Sequence, residues 1–368
     1  TITWPSGMVW DGGTEPTLLN NETENEAQIF KLTTRDNGAT WYGNEVVNYS
    51  AYLAPARTLW SWGYAGRSDG GGALGQNQSH NVHLSSPTQI PGTTWMNVQC
   101  GDQVAQSAFK TDGTLWVWGR NAYGQLGLNQ PASVPGVSSP TQVPGSFKTR
   151  ADYTGYSLAI KNDGTLWGTG SFGALNNTTQ YSSPTQIPGT TWKIIPPASG
   201  SSTTGAIKTD GTLWTWGAQS YGEGMSSDNV RYSSPIQIPG TTWASIRFGN
   251  YITTAVKTDG TLWMAGRNHG GINGALGQNN ETQYSSPVQV PGTNWAYGAG
   301  KVAGGEMGCL ALKTDNTLWA WGRGNKGQLG QNSTTYYSSP VQIPGTNWAL
   351  IEPGEQCNYG IKTDGTLW

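Results

Sequence analysis

The feature that most constrains the fold of this chain is an internal repeat. A Thr-Leu-Trp triplet occurs seven times, with its tryptophan at Trp60, Trp116, Trp167, Trp214, Trp263, Trp319 and Trp368, so neighbouring copies are separated by 47 to 56 residues. A second motif, Ser-Ser-Pro-x-Gln-x-Pro-Gly, occurs six times, at 85–92, 138–145, 182–189, 233–240, 285–292 and 338–345. Self-similarity with a period of this length is typical of solenoids, propellers and repeat arrays.

One repeat unit predicts a small antiparallel sheet. In TTGAIKTDGTLWTWG (203–217), alternating side chains flank Asp210-Gly211, and an Asp-Gly pair between two such runs predicts a hairpin with a two-residue turn. The segment 233–240 reads as an outer strand, where Pro235 is tolerated at a sheet edge. The segment 241–249 reads as a further strand that leads into the next hairpin. We therefore expect about four short strands in each unit and no helices.

Such a sheet cannot be stable alone, because ordering its backbone costs more free energy than the burial of its few tryptophans returns. Radial packing of neighbouring sheets into a β-propeller buries their faces and leaves only short, protected edges. The predicted fold class is therefore all-β, a propeller of four-stranded antiparallel blades. The repeated Trp, Leu and Gly positions are interpreted as blade packing, with a tryptophan ladder for sugar stacking as the alternative.

The number of blades is open between seven and six. Seven Thr-Leu-Trp strands enclose only six complete periods, and the chain stops at Trp368 inside a strand. The segment NWALIEPGEQCNYGIKTD could supply inner strands to the first blade, which would give six blades. Alternatively, 365–368 begins a seventh blade that the N-terminal region, or residues outside this chain, would complete. We favour seven blades.

The repeated segments resemble the regulator-of-chromosome-condensation repeat family. Residues 110–127, KTDGTLWVWGRNAYGQLG, carry the family pattern D-G-x-x-x-x-W-G followed by N-x-x-G-Q-L-G, and the likeness covers about residues 52–368. The resemblance implies a propeller, commonly with seven blades, in a family that includes nucleotide-exchange factors and secreted enzyme inhibitors. The loops 171–177 and 221–227 lack the full G-Q-L-G, so we expect them to be reshaped.

Residues 1–48 do not fit the repeat and are predicted to be a separate β-rich module, followed by the propeller over 49–368. IFKLTTRDNGATWYG (29–43) reads as a hairpin about Asp36-Asn37-Gly38. With the pattern W-P-x-G-x-x-W-x-G-G-T-x-P-T-L, the module resembles a segment of bacteriophage tail and other virion proteins. That resemblance implies docking to other virion proteins, and thus a virion or extracellular location.

Composition argues against several functional classes. The net charge is −2 and no basic run occurs, so neither nucleic acid nor a membrane is an expected partner. No apolar stretch is long enough to span a bilayer. The three cysteines and three histidines do not have the spacing of a disulfide framework or a metal site. No motif for a cofactor or a phosphate-binding loop was found, and most aspartates occupy the predicted hairpin turns, so we predict a non-enzymatic protein.

Binding is expected where the repeats differ, because their shared positions serve packing. The variable stretches are the loops that follow the Thr-Leu-Trp strands, and we expect them to lie on one face. Tyrosine and arginine are favoured at binding hot spots. The predicted binding residues of this face are Tyr64, Arg67, Arg120, Tyr123, Arg267, His269, Arg323 and Lys326.

Three functions were weighed on these features. The first is a structural or adhesive virion protein of tail, fibre or capsid-decoration type. Its loops would contact neighbouring subunits, or a glycan or protein of the host surface. A homo-oligomer is compatible with this function. The alternative is a soluble propeller that acts on a protein partner as an inhibitor or a scaffold. The third is a glycan-active enzyme, which requires two carboxylates held close together, and the sequence suggests no such pair.

Overall fold

The structure is a computed structural model. In the N-terminal region it describes the backbone of three strands: β1 (Met8–Trp10), β2 (Ala27–Thr34) and β3 (Trp41–Tyr49). Beyond that region it describes residues 57–66, 71–78, 81–100, 105–130, 136–153, 155–171, 180–197, 203–217, 220–228, 230–249, 251–270, 274–304, 308–353 and 357–368. Every regular element in these ranges is a β-strand, and none of the described residues forms a helix that could cross a membrane.

The chain divides into two compact units. The first comprises Thr1–Leu59 and Pro91–Met96, and the second comprises Trp60–Ile90 and Asn97–Trp368. In the first unit, β3 lies between β1 and β2, parallel to β1 and antiparallel to β2. The antiparallel pair β2–β3 agrees with the hairpin expected over 29–43, whose turn lies outside the described residues.

The repeats form seven sheets, here called blades 1 to 7 in chain order. Blade 1 has two described strands, β4 (Leu59–Tyr64) and β5 (His83–Ile90). Blade 2 consists of β6 (Trp95–Cys100), β7 (Ala105–Lys110), β8 (Leu115–Arg120) and β9 (Gly136–Val143). Blade 3 consists of β10 (Phe147–Tyr153), β11 (Tyr156–Lys161), β12 (Leu166–Gly170) and β13 (Tyr181–Ile187).

The remaining blades repeat this arrangement. Blade 4 consists of β14 (Trp192–Ile194), β15 (Thr203–Lys208), β16 (Leu213–Gly217) and β17 (Tyr232–Ile238). Blade 5 consists of β18 (Trp243–Phe248), β19 (Ile252–Lys257), β20 (Leu262–Gly266) and β21 (Tyr284–Gln289). Blade 6 consists of β22 (Val302–Gly304), β23 (Gly308–Leu312), β24 (Leu318–Gly322) and β25 (Tyr337–Gln342). Blade 7 has two described strands, β26 (Trp348–Pro353) and β27 (Asn358–Lys362).

Strands pair in chain order within each four-stranded blade, so we letter them A to D from first to last. The Thr-Leu-Trp strand is C and the Ser-Ser-Pro strand is D. By these motifs blade 1 contains strands C and D, and blade 7 contains strands A and B. The all-β propeller is confirmed, and its seven sheets agree with the favoured count of seven.

The hairpin between strands B and C differs from the predicted two-residue turn. In blade 4 the Lys208 N–H donates to the Thr212 carbonyl at 3.0 Å, and the Gly211 N–H donates to the Lys208 carbonyl at 3.0 Å. Gly211 has a φ of 77°, whereas Asp210 stays in the ordinary region. The loop is therefore the three-residue type, a type I turn closed by a glycine bulge, and the two-residue assignment was wrong.

The hydrophobic core lies between adjacent blades. One cluster joins Met264 of blade 5 to Trp295 and Trp321 of blade 6, and another joins Tyr153 of blade 3 to Trp216 of blade 4. The second tryptophan of the strand C motif is buried in blades 2, 4 and 6, at Trp118, Trp216 and Trp321, whereas the Thr-Leu-Trp tryptophans of blades 2 to 6 are half-buried. These positions confirm that the repeated aromatic residues serve blade packing.

In blades 1, 2, 4 and 5, the loop between strands C and D donates a backbone hydrogen bond to the next blade. The Asn129 N–H of blade 2 donates to the Ser182 carbonyl of blade 3 at 2.8 Å, and the Asn279 N–H of blade 5 donates to the Ser338 carbonyl of blade 6 at 2.7 Å. The same bond occurs from Asn77 and Ser227. The Ser-Ser-Pro motif is thus the strand on which the loop of the preceding blade rests.

Candidate functional site

The aspartate of each hairpin has a structural role. In blade 4, Asp210 Oδ1 accepts from the Thr212 N–H at 2.9 Å and from its hydroxyl at 2.7 Å, and Thr212 Oγ1 accepts from Trp214 Nε1 at 3.0 Å. The same three-residue chain occurs from Asp112, Asp163, Asp259, Asp315 and Asp364. The threonine hydrogen bonds lower the pKa of these carboxyl groups, because they stabilise the charged form.

The lysine of the repeat lies between two tryptophans. Lys257 Nζ is 4.7 Å from the centre of the Trp243 ring and 4.5 Å from that of Trp263. Lys208, Lys313 and Lys362 have the same two partners in their own blades. The ammonium lies over the aromatic faces as a cation–π contact. One ring face of each of these tryptophans is therefore occupied by a lysine of the same chain.

In blades 2, 4 and 6, the variable loop is held by a glutamine or a glutamate side chain. Gln125 Oε1 accepts from the Tyr123 N–H at 2.9 Å, and Gln328 Oε1 accepts from the Lys326 N–H at 2.8 Å. In blade 4 the buried carboxylate of Glu223 accepts from the N–H groups of Ser220 and Tyr221, at 3.0 and 2.7 Å. The loop 221–227 was expected to be reshaped, but Glu223 replaces glutamine and the bond to the next blade is kept. Most of the loop 171–177, which was also expected to be reshaped, lies outside the described residues.

The predicted binding residues that the structure describes leave the same end of their blades but form separate groups. Tyr64 stacks on His83 with ring centres 4.7 Å apart, and its hydroxyl donates to Asn81 Oδ1 at 2.9 Å. The Arg120 guanidinium lies 5.4 Å from the Tyr123 ring centre. We call the ends of the blades that carry the C–D loops and the A–B turns the loop face.

The largest of these groups surrounds Arg267. Its guanidinium lies 5.0 Å from the Tyr221 ring centre and 5.3 Å from that of Tyr251, and the two rings meet edge to face. Arg267 also donates to the carbonyls of His269 and Gly270, at 3.1 Å each. Tyr221 and Tyr251 were missed by the sequence analysis. Tyr221 was detectable, since it holds the loop position of Tyr123, whereas Tyr251 comes from an A–B turn.

The remaining predicted residues belong to the loops of blade 6 and blade 1. Arg323 Nε donates to Asn325 Oδ1 at 2.8 Å, and Lys326 is exposed in the same loop. Arg67 lies outside the described residues. In the described loops, the carboxylate of Glu223 is buried, Asp228 accepts from the Tyr232 hydroxyl at 2.6 Å, and Glu281 is exposed. Arg120, Arg267, Arg323 and Lys326 are the basic members of the predicted set that the structure describes on this face.

A central cavity of about 440 Å³ lies at the inner strands of the second unit. Blades 2 to 7 contribute to its lining, among others through Gln99, Arg150, Ile194, Arg247 and Glu352. Within the described parts of the chain, no group of three or more His, Cys, Asp or Glu side chains could hold a metal ion.

A charged network beside this cavity is fully buried. Arg150 Nε donates to Asp152 Oδ1 at 2.7 Å, and its Nη2 donates to the Gln125 carbonyl and the Ser157 hydroxyl at 2.8 and 2.9 Å. Asp152 also accepts from the hydroxyls of Ser157 and of Ser107, the latter in the neighbouring blade. Such a satisfied pair fixes the seam between blades 2 and 3.

Comparison with known proteins agrees with this geometry. Residues 112–151 and 315–356 match the family of the regulator of chromosome condensation (RCC1) repeat. The chain is 27% identical over 348 residues to the RCC1 domain-containing protein RUG3, mitochondrial, of Arabidopsis thaliana, covering 84% of this chain and 76% of that protein. It is also 27% identical over 341 residues to the ultraviolet-B receptor UVR8 of the same plant, covering 87% and 73%.

Among solved structures, Prp20p of Saccharomyces cerevisiae superposes with a TM-score of 0.68 at 16% identity, covering 86% of this chain and 81% of that one. Together with the repeat match, this likeness identifies the fold as an RCC1-type β-propeller. These relatives favour the second function weighed above, a propeller acting on a protein partner, over a virion role. The resemblance of residues 1–48 to virion proteins finds no support among them.

Proposed function

We propose that this protein is a binding module whose loop face holds a protein partner. The shared positions of the repeat are used internally, since in blades 2 to 7 the lysine lies over aromatic rings and the aspartate holds the threonine that binds the indole N–H. The loop face carries the side chains that differ between blades. The structure of Prp20p was described together with its binding to Gsp1p and histones, so a protein of similar fold has protein partners.

The observation that carries the proposal is the group around Arg267. Its guanidinium contacts two half-buried tyrosines that come from different blades and touch each other, which reduces the conformational entropy lost when a partner binds. Arginine and tyrosine are enriched at the centres of protein interfaces. With Arg120, Arg323 and Lys326 on the same face, the electrostatic complement is an acidic surface of the partner.

The proposal is tested with the full chain as bait in an affinity purification followed by quantitative mass spectrometry. One variant combines Arg120→Ala, Arg267→Ala and Arg323→Ala. A second combines Thr111→Glu, Thr258→Glu and Thr314→Glu, which lie in the exposed hairpin turns of the same three blades. Both variants change the net charge by the same amount, on opposite ends of the blades.

We expect the arginine variant to lose the captured partner and the threonine variant to retain it. Capture that is lost only in the threonine variant would place the partner on the hairpin side and refute the assignment to the loop face. Whether the partner is inhibited or merely held follows from its own activity, measured with and without the full chain.

The virion role expected from residues 1–48 stays a prediction, as does a virion location. Its support is the resemblance of that segment alone. Mass spectrometry of purified particles checks it directly, since a virion protein must be present there in stoichiometric amount.

A further inference from the structure

The central cavity is a second place where a ligand could bind, and this site does not depend on the loop face. In blades 2 to 7, strand A lies at the cavity and its partner within the sheet is strand B. Among the described residues its other edge has no sheet partner, although the Ile351 N–H of blade 7 donates to the Gly300 carbonyl of blade 6. Apolar side chains complete the wall, among them Ala151, Ile194, Ile195 and Val302.

One cation in this wall is arranged differently from the other. Arg150 and its partner Asp152 have only 2% and 0% of their side chains exposed, and their hydrogen bonds lie within the protein. Arg247 is also largely buried, but its Nη2 donates at 2.9 Å to Oε1 of Glu352, whose side chain is 67% exposed. In the described part of the chain, Glu352 is the acceptor that this guanidinium reaches.

This pair spans two blades that are not neighbours. Arg247 belongs to β18 of blade 5, and Glu352 belongs to β26 of blade 7. A guanidinium has five N–H donors in a planar fork that fits both oxygens of a carboxylate. Glu352 accepts from one of these donors, and its side chain is mostly in water. Replacing Glu352 on Arg247 by another carboxylate therefore has a small desolvation cost.

We propose that the central cavity binds a small carboxylate that carries an apolar tail. The carboxylate of the ligand replaces Glu352 on Arg247, and the tail lies against Ile194, Ile195 and Val302. The volume of about 440 Å³ lies within the range of small-molecule sites. Glu352 is then the internal competitor of the ligand, and its removal strengthens binding.

The experiment is isothermal titration calorimetry of the full chain with sodium octanoate, with 1-octanol as the uncharged probe of equal tail length. We expect octanoate to bind and octanol to bind at least about 10-fold more weakly, because the carboxylate supplies the contact to Arg247. Glu352→Gln should lower the Kd for octanoate by about 3-fold or more, since it removes the competing charge. Arg247→Gln should raise that Kd by at least about 10-fold.

The matched control is Arg231→Gln, which removes an exposed arginine outside the cavity and should leave the Kd unchanged. NMR of the Arg247 Nε–H group in the unmodified chain provides a readout that needs no variant, and octanoate should shift this signal. The proposal is overturned if the unmodified chain does not bind octanoate. Equal affinity for octanoate and octanol, or an unchanged Kd in Glu352→Gln, would refute it as well.

Discussion

At the residue scale, the repeated segment is a self-contained hydrogen-bonded and aromatic unit. In one blade, Asp259 holds Thr261, Thr261 holds the indole of Trp263, and Lys257 lies between Trp263 and Trp243. Four residue types thus contact one another across three neighbouring strands and the turn between the last two. This explains why the chain repeats them without any catalytic role.

The lysine charge is predicted to contribute to stability. Lys257→Met keeps the alkyl stem between the two rings but removes the ammonium, so the free energy of unfolding should fall by about 0.5–1 kcal/mol. Urea unfolding measures the change. Lys148→Met is the control, because Lys148 is exposed on β10 and should be neutral. Equal effects of the two substitutions would show that the aromatic contact adds nothing.

At the scale of elements, the C–D loop of one blade packs against the next blade. Gly124 of blade 2 has a φ of 77°, and a Cβ built there would lie 2.7 Å from the Cα of Ser182 in blade 3. Gly113 in the hairpin has a φ of 81°, yet nothing lies within 4 Å of its Cβ position. The two glycines share a backbone conformation and differ in packing.

These glycines form a matched pair for a stability test. Gly113→Ala should destabilise by about 1–2 kcal/mol, the cost of a left-handed backbone for a residue with a Cβ. Gly124→Ala should cost clearly more, because the backbone of the next blade must also move. Urea unfolding of both variants measures the two losses in the free energy of unfolding. Similar losses in the two would show that the loop can shift freely over Ser182.

At the scale of the whole molecule, the blades stabilise one another through shared cores and repeated seams. Aromatic side chains of the first and last blades are exposed, with Trp62 at 61% and Trp368 at 65%. The tryptophans at the same motif positions in the inner blades are buried or half-buried, as at Trp118 and Trp116.

Six hairpin aspartates with lowered pKa predict sensitivity of the whole propeller to acid. A carboxyl group whose pKa is lower in the folded state stabilises the fold above its unfolded pKa, near 3.9, and this stabilisation is lost as the pH falls through the folded value. Thermal unfolding between pH 6 and pH 2.5 should therefore show a falling Tm below about pH 4.

A variant with Asp112→Asn, Asp210→Asn and Asp259→Asn tests the origin of this effect. Asparagine keeps an acceptor for the threonine but does not titrate, so the Tm should fall less steeply with acid in the variant. An identical slope in both proteins would assign the acid sensitivity to other carboxyl groups.

Much of the fold was predictable because it is periodic. The repeat located the strands, the hairpins and the tryptophans of the core, since every blade must solve the same packing problem. The binding residues were predicted from variation between the loops, and Arg267 and Tyr123 do lie in aromatic groups there. Tyr251 and Glu352 were not predicted, because the residue type at their positions differs from one repeat to the next.

The sequence by itself determined the class of the molecule, because a 50-residue unit rich in turns and tryptophan can be stable only as one sheet among several. It also determined the local contacts of aspartate, threonine and tryptophan, whose partners lie two residues apart. The tertiary structure alone decided which residues of different blades meet, such as Arg247 with Glu352 and Arg267 with Tyr221. Those contacts depend on how the blades are rotated about their common cavity, a geometry that no local pattern encodes.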